Sequence, residues 1–246
     1  REVSPEVGTA LKSAGPSPAA TVGSALTDRR VSGSCGRSAD VDEVLNRRTA
    51  HIVVVLEGVR NSANQQMIFR TCEALGIQEV WLVPPPAGAK YHPPPRSRNA
   101  SRGSERFLTL RRFGSISDVA LTCGSEDREL WVTHCPSGGP STATRLEAGS
   151  VPSPLPKLAL VLGTESEGIS QEMLRKATRV VYLPMHGFVQ SLNVAVACSL
   201  MVQRLLDLAP AVRGDLSSET RAELRPRFLA SLRLTDDATS DDGPDA

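Results

Sequence analysis

Short, continuous apolar runs alternate along this chain with segments of helical periodicity. HIVVVLEGV (51–59) clusters β-branched residues and predicts a buried strand. NSANQQMIFRTCEALGI (61–77) predicts a helix closed by Gly76. QEVWLVP (78–84) predicts a second strand, stopped by Pro84, Pro85 and Pro86. After a long polar loop, ISDVALTC (116–123) reads as a helix and ELWVTH (129–134) as a strand. A Pro/Gly/Ser loop leads to the strand KLALVLG (157–163), the helix SQEMLRKA (170–177) and the strand RVVYLPM (179–185). Two helices follow, SLNVAVACSLMVQRLLDL (191–208) and SSETRAELRPRFLASL (217–232), the latter with a kink expected at Pro226. Such alternation predicts an α/β fold, a parallel sheet with helices on both faces. Ligands of such sheets bind beyond the carboxyl ends of the strands. The loops at 57–64, 84–107, 134–142, 163–170 and 184–191 are therefore the candidate site-forming segments.

Outside this pattern lie two flanks. Residues 1–39 are rich in Ser, Gly, Ala, Pro and Thr and are expected to be disordered or a linker, with Glu2 and Glu6 arguing against a transit peptide. Residues 234–246 are expected to form an acidic disordered tail, with five Asp and no base from 236 onward. The folded body is then 40–233. With 40% hydrophobic residues the chain can bury a core, while its 19 Gly and 18 Pro imply many loops. A net charge of +1 argues against a simple polybasic nucleic-acid tail protein, although the acidic tail masks a mildly basic body. No stretch of about 18 apolar residues exists, so no membrane-spanning helix is expected. Cys35, Cys72, Cys123, Cys135 and Cys198 lie far apart, with no CxxC pair, so neither a metal site nor a disulfide framework is indicated. That usage fits a reducing compartment, the cytoplasm or an organelle interior.

Four segments carry chemistry. LGTESEGIS (162–170) leaves a strand through Gly163 and Gly168, which permit close backbone approach, and offers Ser170 as a helix cap; an ordinary turn is the plain alternative. It holds no GxGxxG, so a dinucleotide site is not indicated. In 183–200, Ser191 and Asn193 open a helix, as caps or as a grip on an anion or a cofactor carboxylate. In 60–76, Asn64 and Arg70 are about 240° apart around a helix, so they do not share a face. Arg70, set in an otherwise apolar helix, needs a partner: a structural carboxylate, a phosphate or a ligand oxygen. RSRNASRGSERFLTLRRF (96–113) holds six Arg against Glu105 alone; phosphates are natural partners, and a solvated loop is the alternative.

Taken in order, three blocks resemble one family. N-x-x-N-x-x-x-I-x-R-T-C-E-A-L-G (61–76), L-V-L-G-T-E-S-E-G-I-S (160–170) and Y-L-P-M-H-G-F-V-Q-S-L-N-V-A-V-A (182–197) resemble the SpoU/TrmH branch of the SPOUT RNA 2′-O-methyltransferases. S-R-G-S-E-R-F-L (101–108) and V-D-E-V-L-N-R-R (41–48) extend the likeness to about 40–232, with helical extensions at both ends. The resemblance implies a parallel sheet with a C-terminal deep trefoil knot, S-adenosyl-L-methionine held in it, and a homodimer with shared sites. It implies 2′-O-methylation of a tRNA ribose, most closely the D-loop guanosine at tRNA position 18. Two alternatives stay open: methylation of ribosomal RNA, and a knotted RNA-binding protein with weakened catalysis.

By the same resemblance Arg70 acts on the 2′-hydroxyl, as activator or as base with a nearby phosphate, although an Arg is normally always protonated. Asn64 orients Arg70 or the ribose, Glu165 supports the site, and Ser191 and Asn193 position a phosphate or the Arg across the dimer. Thr133, Leu183 and Leu192 match cofactor contacts, with Leu162, Gly163 and Gly168 shaping the pocket. Arg102, Arg106, Arg111 and Arg112 are the RNA-contact candidates, with Arg225 and Arg227 as weaker ones. Gln65, Gln66 and Met67 stand where the family has an apolar residue, a small one and Ala, so crowding of the cofactor loops is expected there. His186 is expected to be exposed and not catalytic.

Overall fold

The computed structural model describes residues 37–84, 103–134, 143–164 and 166–239. In chain order it holds α1 (Arg37–Leu45), β1 (Ile52–Glu57), α2 (Ser62–Ala74), β2 (Glu79–Val83), a 3₁₀ turn (Ser104–Phe107), β3 (Thr109–Arg112), α3 (Ile116–Ser125) and β4 (Glu129–Thr133). Then come β5 (Thr144–Arg145), β6 (Leu158–Leu162), α4 (Gln171–Lys176), β7 (Arg179–Tyr182), α5 (Val194–Leu208), a second 3₁₀ turn (Pro210–Val212) and α6 (Ser218–Thr239). The seven strands form one sheet in the order β3-β2-β1-β6-β4-β7-β5, and every pairing is parallel.

Two-residue periodicity sorts the strand side chains onto two faces. Ile52, Val54 and Leu56 of β1 join Leu158, Leu160 and Leu162 of β6 in a core shared with Ile68 and Cys72 of α2 and Cys198, Val202 and Leu205 of α5. Val53, Val55, Ala159 and Val161 point the other way, toward Val119 and Cys123 of α3 and Met173 of α4. β1 and β6 are buried at every position, which explains why they read as continuous apolar runs.

Local chemistry sets the helix ends. Asn61 caps α2, its side chain accepting from the amides of Ala63 and Asn64. Gly76 ends that helix at φ +79°, where the Ile77 amide bonds back to the Cys72 carbonyl. Ser170 caps α4, as expected. Where the sequence pattern put a helix from 191, α5 instead begins at Val194 with Asn193 as its cap. α6 runs unbroken through Pro226 and on to Thr239, into the stretch expected to be tail. β3 and β5 fall inside segments that read as loops. β3 is an edge strand with no fully buried residue, and β5 is two residues long, so neither carries an apolar run.

A third cluster, Val41, Leu45, Leu216, Leu224 and Phe228, ties α1 to α6. Arg48 anchors it. Its guanidinium is buried, donates to the Ile77 carbonyl (3.3 Å), Gln78 Oε1 (3.2 Å) and Glu73 Oε1 (3.1 Å), and stacks 5.0 Å from the Phe228 ring centroid. Arg225 pairs with Asp42 at 2.7 Å, and Arg227 donates to the Leu108 carbonyl at 2.9 Å. Both weaker RNA candidates thus serve to hold α6 down. Removing Arg48 strips three acceptors of their donor. Arg48→Ala should lower stability by about 3 kcal/mol, read as a fall in the urea midpoint.

Candidate active site

At the carboxyl ends of β4 and β7 the chain opens a cleft of about 550 Å³, counting its mouth. Thr133, Leu183, Ser191 and Leu192, singled out from sequence, all line it. His134, Tyr182, Met185, Gln190, Ala197 and Met201 line it too and were not singled out. The signal for His134, Met185 and Gln190 was their place in loops that follow strands; Ala197 and Met201 sit on α5 and read only as core. The lining is largely apolar. Among the described residues, no backbone group from Leu183 to Leu192 bonds to another backbone group. Those amides and carbonyls are left to water or a ligand.

Asn193 joins this cleft to α2. Its Oδ1 accepts from the amides of Ala195 (2.9 Å) and Val196 (3.4 Å), which satisfies the start of α5. Its Nδ2 donates to Asn64 Oδ1 at 3.1 Å. One side chain therefore caps a helix and tethers a second one. A little further along, the Thr71 and Ser199 hydroxyls meet at 3.0 Å between the same two helices.

Several expectations need correction. Arg70 is exposed on α2 and lines no part of the cleft of its own chain, so it is not a buried-side Arg in search of a structural partner. Leu162 is core at the end of β6, and neither it nor Gly163 or Gly168 lines the cleft. The two glycines act on the turn instead. A Cβ on Gly163 would overlap the Gly168 carbonyl, and Gly168 takes φ +68° while exchanging two 3.0 Å backbone bonds with Thr164. Gln65, Gln66 and Met67 do not crowd the cleft. Gln65 is buried and donates to the Val59 carbonyl, Gln66 is buried with Oε1 unpaired, and Met67 is half-exposed. His186 is exposed.

Arg111 is not free for phosphate. It pairs with Glu79 (3.1 Å) and Glu126 (2.6 Å) and lies over the rings of Trp81 and Phe113. Burial pushes the Glu126 carboxyl up, but hydrogen bonds from Arg128 and Arg111 outweigh it and hold the carboxyl below its ordinary value. Arg106 is half-buried in the first 3₁₀ turn, and Arg112 is exposed at the end of β3. Glu165 and Arg102 lie outside the described residues. Sequence reasoning also missed Glu57, a buried carboxylate at the end of β1 whose Oε2 accepts from the Ser170 amide at 3.2 Å.

The fold is a parallel sheet with a cleft at its carboxyl edge, and the Asn64–Asn193 pair follows directly on Leu192 of the lining. Residues 51–203 match the SpoU rRNA Methylase family, and the chain belongs to that family. It is 31% identical over 169 residues to the tRNA (guanosine(18)-2′-O)-methyltransferase of Thermus thermophilus, covering 68% of this chain and 79% of that one. The Borreliella burgdorferi enzyme of the same name is 29% identical over 170 residues, 69% of this chain and 72% of that one. In three dimensions the fold matches the crystal structure of the A. aeolicus TrmH/SpoU tRNA modifying enzyme with a TM-score of 0.65 at 21% identity, over 80% of this chain and 95% of that one. Among the described residues no group of three or more His, Cys, Asp or Glu is arranged to hold a metal, and no helix is long and apolar enough to cross a membrane.

The double duty of Asn193 is separable. Asn193→Ala should lower stability by about 1 kcal/mol through loss of the cap, whereas Asn193→Asp keeps the cap and loses the donor to Asn64. Thermal melts of the two variants check this: near-normal stability is expected for the Asp variant alone.

Proposed function

We propose that this chain transfers a methyl group from S-adenosyl-L-methionine to the ribose 2′-hydroxyl of a guanosine in tRNA, the D-loop position 18 being the first site to examine. The observation that carries the reading is the convergence of Thr133, Leu183, Ser191 and Leu192 on one cleft beside the Asn64–Asn193 pair, in a chain of this family. The cleft fits the cofactor. Leu183 and Leu192 offer apolar faces to a flat base, and the unpaired backbone from Leu183 to Leu192 offers donors and acceptors to its edge. When bound, the cofactor supplies an electrophilic methyl carbon for in-line attack by the hydroxyl oxygen.

The chain's own task is to present that oxygen and to handle its charge. A guanidinium is a donor with no acceptor capacity. Arg70 therefore stabilises negative charge developing on the 2′-oxygen, and the hydroxyl proton leaves to a phosphate or to water. Asn64, Asn193 and Ser191 position the ribose and its phosphate, and Glu165 supports them. Because Arg70 is exposed and outside its own chain's cleft, the site is completed by a second copy. Met67 on α2 and Val196 and Leu200 on α5 are exposed beside the Thr71–Ser199 contact, with Phe188 and Val189 exposed in the preceding loop. This apolar face is the dimer surface in our reading. The knot in the C-terminal half, and a reducing compartment consistent with the free thiols of Cys72, Cys123 and Cys198, complete it.

Labelled methyl transfer to a pool of tRNA and ribosomal RNA, with the modified nucleoside mapped, tests the proposal. A 2′-O-methylguanosine in the tRNA D-loop is expected. Ribosomal RNA methylation replaces the substrate, and cofactor binding without transfer favours the RNA-binding alternative. Arg70→Ala should cut kcat about 100-fold or more while leaving cofactor affinity within about twofold. Sedimentation at micromolar concentration should give a dimer, and a concentration-independent monomer rules out the shared site.

A further inference from the structure

A second cleft, of about 530 Å³ counting its open mouth, lies at the carboxyl ends of β1 and β2 and at Arg112 and Phe113, where β3 ends. Its walls are mostly apolar, with Leu56, Leu82, Pro84 and the aromatic surface of Phe113. Phe113 is braced, its ring centroid 4.9 Å from that of Trp81 and the Arg111 guanidinium 5.2 Å from its own. Two polar groups enter this lining. Gln65 is only 3% exposed, and its Nε2 donates to the Val59 carbonyl at 2.5 Å. That bond fixes the amide's orientation and leaves Oε1 as an acceptor with no donor among the described residues. Arg112 is exposed and makes no ion pair among the described residues, so its fork of donors is uncommitted.

The two clefts open on the same edge of the sheet, on either side of β6. Gln65 follows Asn64 on α2, and Asn64 holds Asn193, the neighbour of Leu192 in the first cleft. A nucleoside whose ribose sits at the Asn64–Asn193 pair has the cofactor cleft on one side and this slot on the other.

We propose that the slot bounded by Gln65, Arg112 and Phe113 receives the guanine base of the nucleoside to be methylated, an inference that rests on the function proposed above. Guanine presents two adjacent acceptors, O6 and N7, which a guanidinium fork engages in a bidentate fashion, and donors at N1 and N2 for an amide oxygen. Adenine puts an amino donor where guanine has O6, opposite the Arg112 donors. Pyrimidines lack the N7 acceptor. Gln65 and Arg112 are in this view residues that set base specificity. A base that displaces water from Gln65 Oε1 without donating to it is penalised.

Full-length protein saturated with S-adenosylhomocysteine, which keeps nucleotides out of the first cleft, is titrated with guanosine, inosine and adenosine 5′-monophosphates. GMP should bind about tenfold more tightly than AMP, with IMP, which lacks the 2-amino donor, in between. Arg112→Ala should erase the preference. Arg112→Lys separates base from phosphate: a phosphate contact is restored by a lysine, whereas a bidentate base contact is not. Equal binding of GMP and AMP, no GMP binding at millimolar concentration, or full rescue by Arg112→Lys overturns the inference. Methyl transfer to tRNA with GMP and AMP bound alike defeats this site and leaves the function standing. A GMP preference without methyl transfer upholds the site and defeats the function.

Discussion

Two parallel strands cannot be joined by a tight turn; the chain must cross over the sheet and return before it pairs again. Here all seven strands obey that rule, so helices cover both faces and the carboxyl ends of the strands collect along one edge. The same geometry makes β1 and β6 buried at every residue and puts Thr133, Leu56, Leu82 and Tyr182 near strand ends that face the same way. Both clefts are consequences of this arrangement: they occupy the gaps where loops leave the sheet edge and helices have not yet closed over it.

Between the clefts, α2 and α5 are held in register by small polar contacts rather than by large side chains. Asn193 satisfies the start of α5 and reaches Asn64 with the same amide, and Thr71 meets Ser199 further along. Below them Ile68, Cys72, Cys198 and Val202 pack on β1 and β6. A hydrogen bond with the neighbouring Cys198, and then burial, raise the Cys72 thiol well above its ordinary value, and both cysteines lie buried in the core. The Asn64–Asn193 pair is thereby mounted on two packed helices, which favours a transfer reaction with narrow geometric tolerance.

Arginines divide into two populations that composition does not distinguish. Arg48, Arg111, Arg128 and Arg225 are tied to carboxylates, and Arg128 also donates to the carbonyls of Ala50 and His51. These hold strand starts and terminal helices together. Arg70 and Arg112 remain exposed. A basic stretch such as 96–113 therefore overstates the charge available to RNA, because Arg111 is spent on Glu79 and Glu126.

Burial on both faces of a parallel sheet demands apolar side chains at consecutive positions, and helices on a sheet demand a 3.6-residue period. Those local demands wrote β1, β2, β4, β6 and β7 and the helices that follow into the sequence. Glycine at 76 and 163, Ser170 as a cap, and the convergence of Thr133, Leu183, Ser191 and Leu192 were legible for the same reason, through local conformation or a family pattern. β3 and β5 were not, since an edge strand and a two-residue strand bury too little to leave an apolar signature. Nor was the partnership of Arg111 with Glu79 and Glu126, or the exposure of Arg70. Which charges pair depends on distances between residues remote in the chain, and only the packed sheet brings them within hydrogen-bond reach.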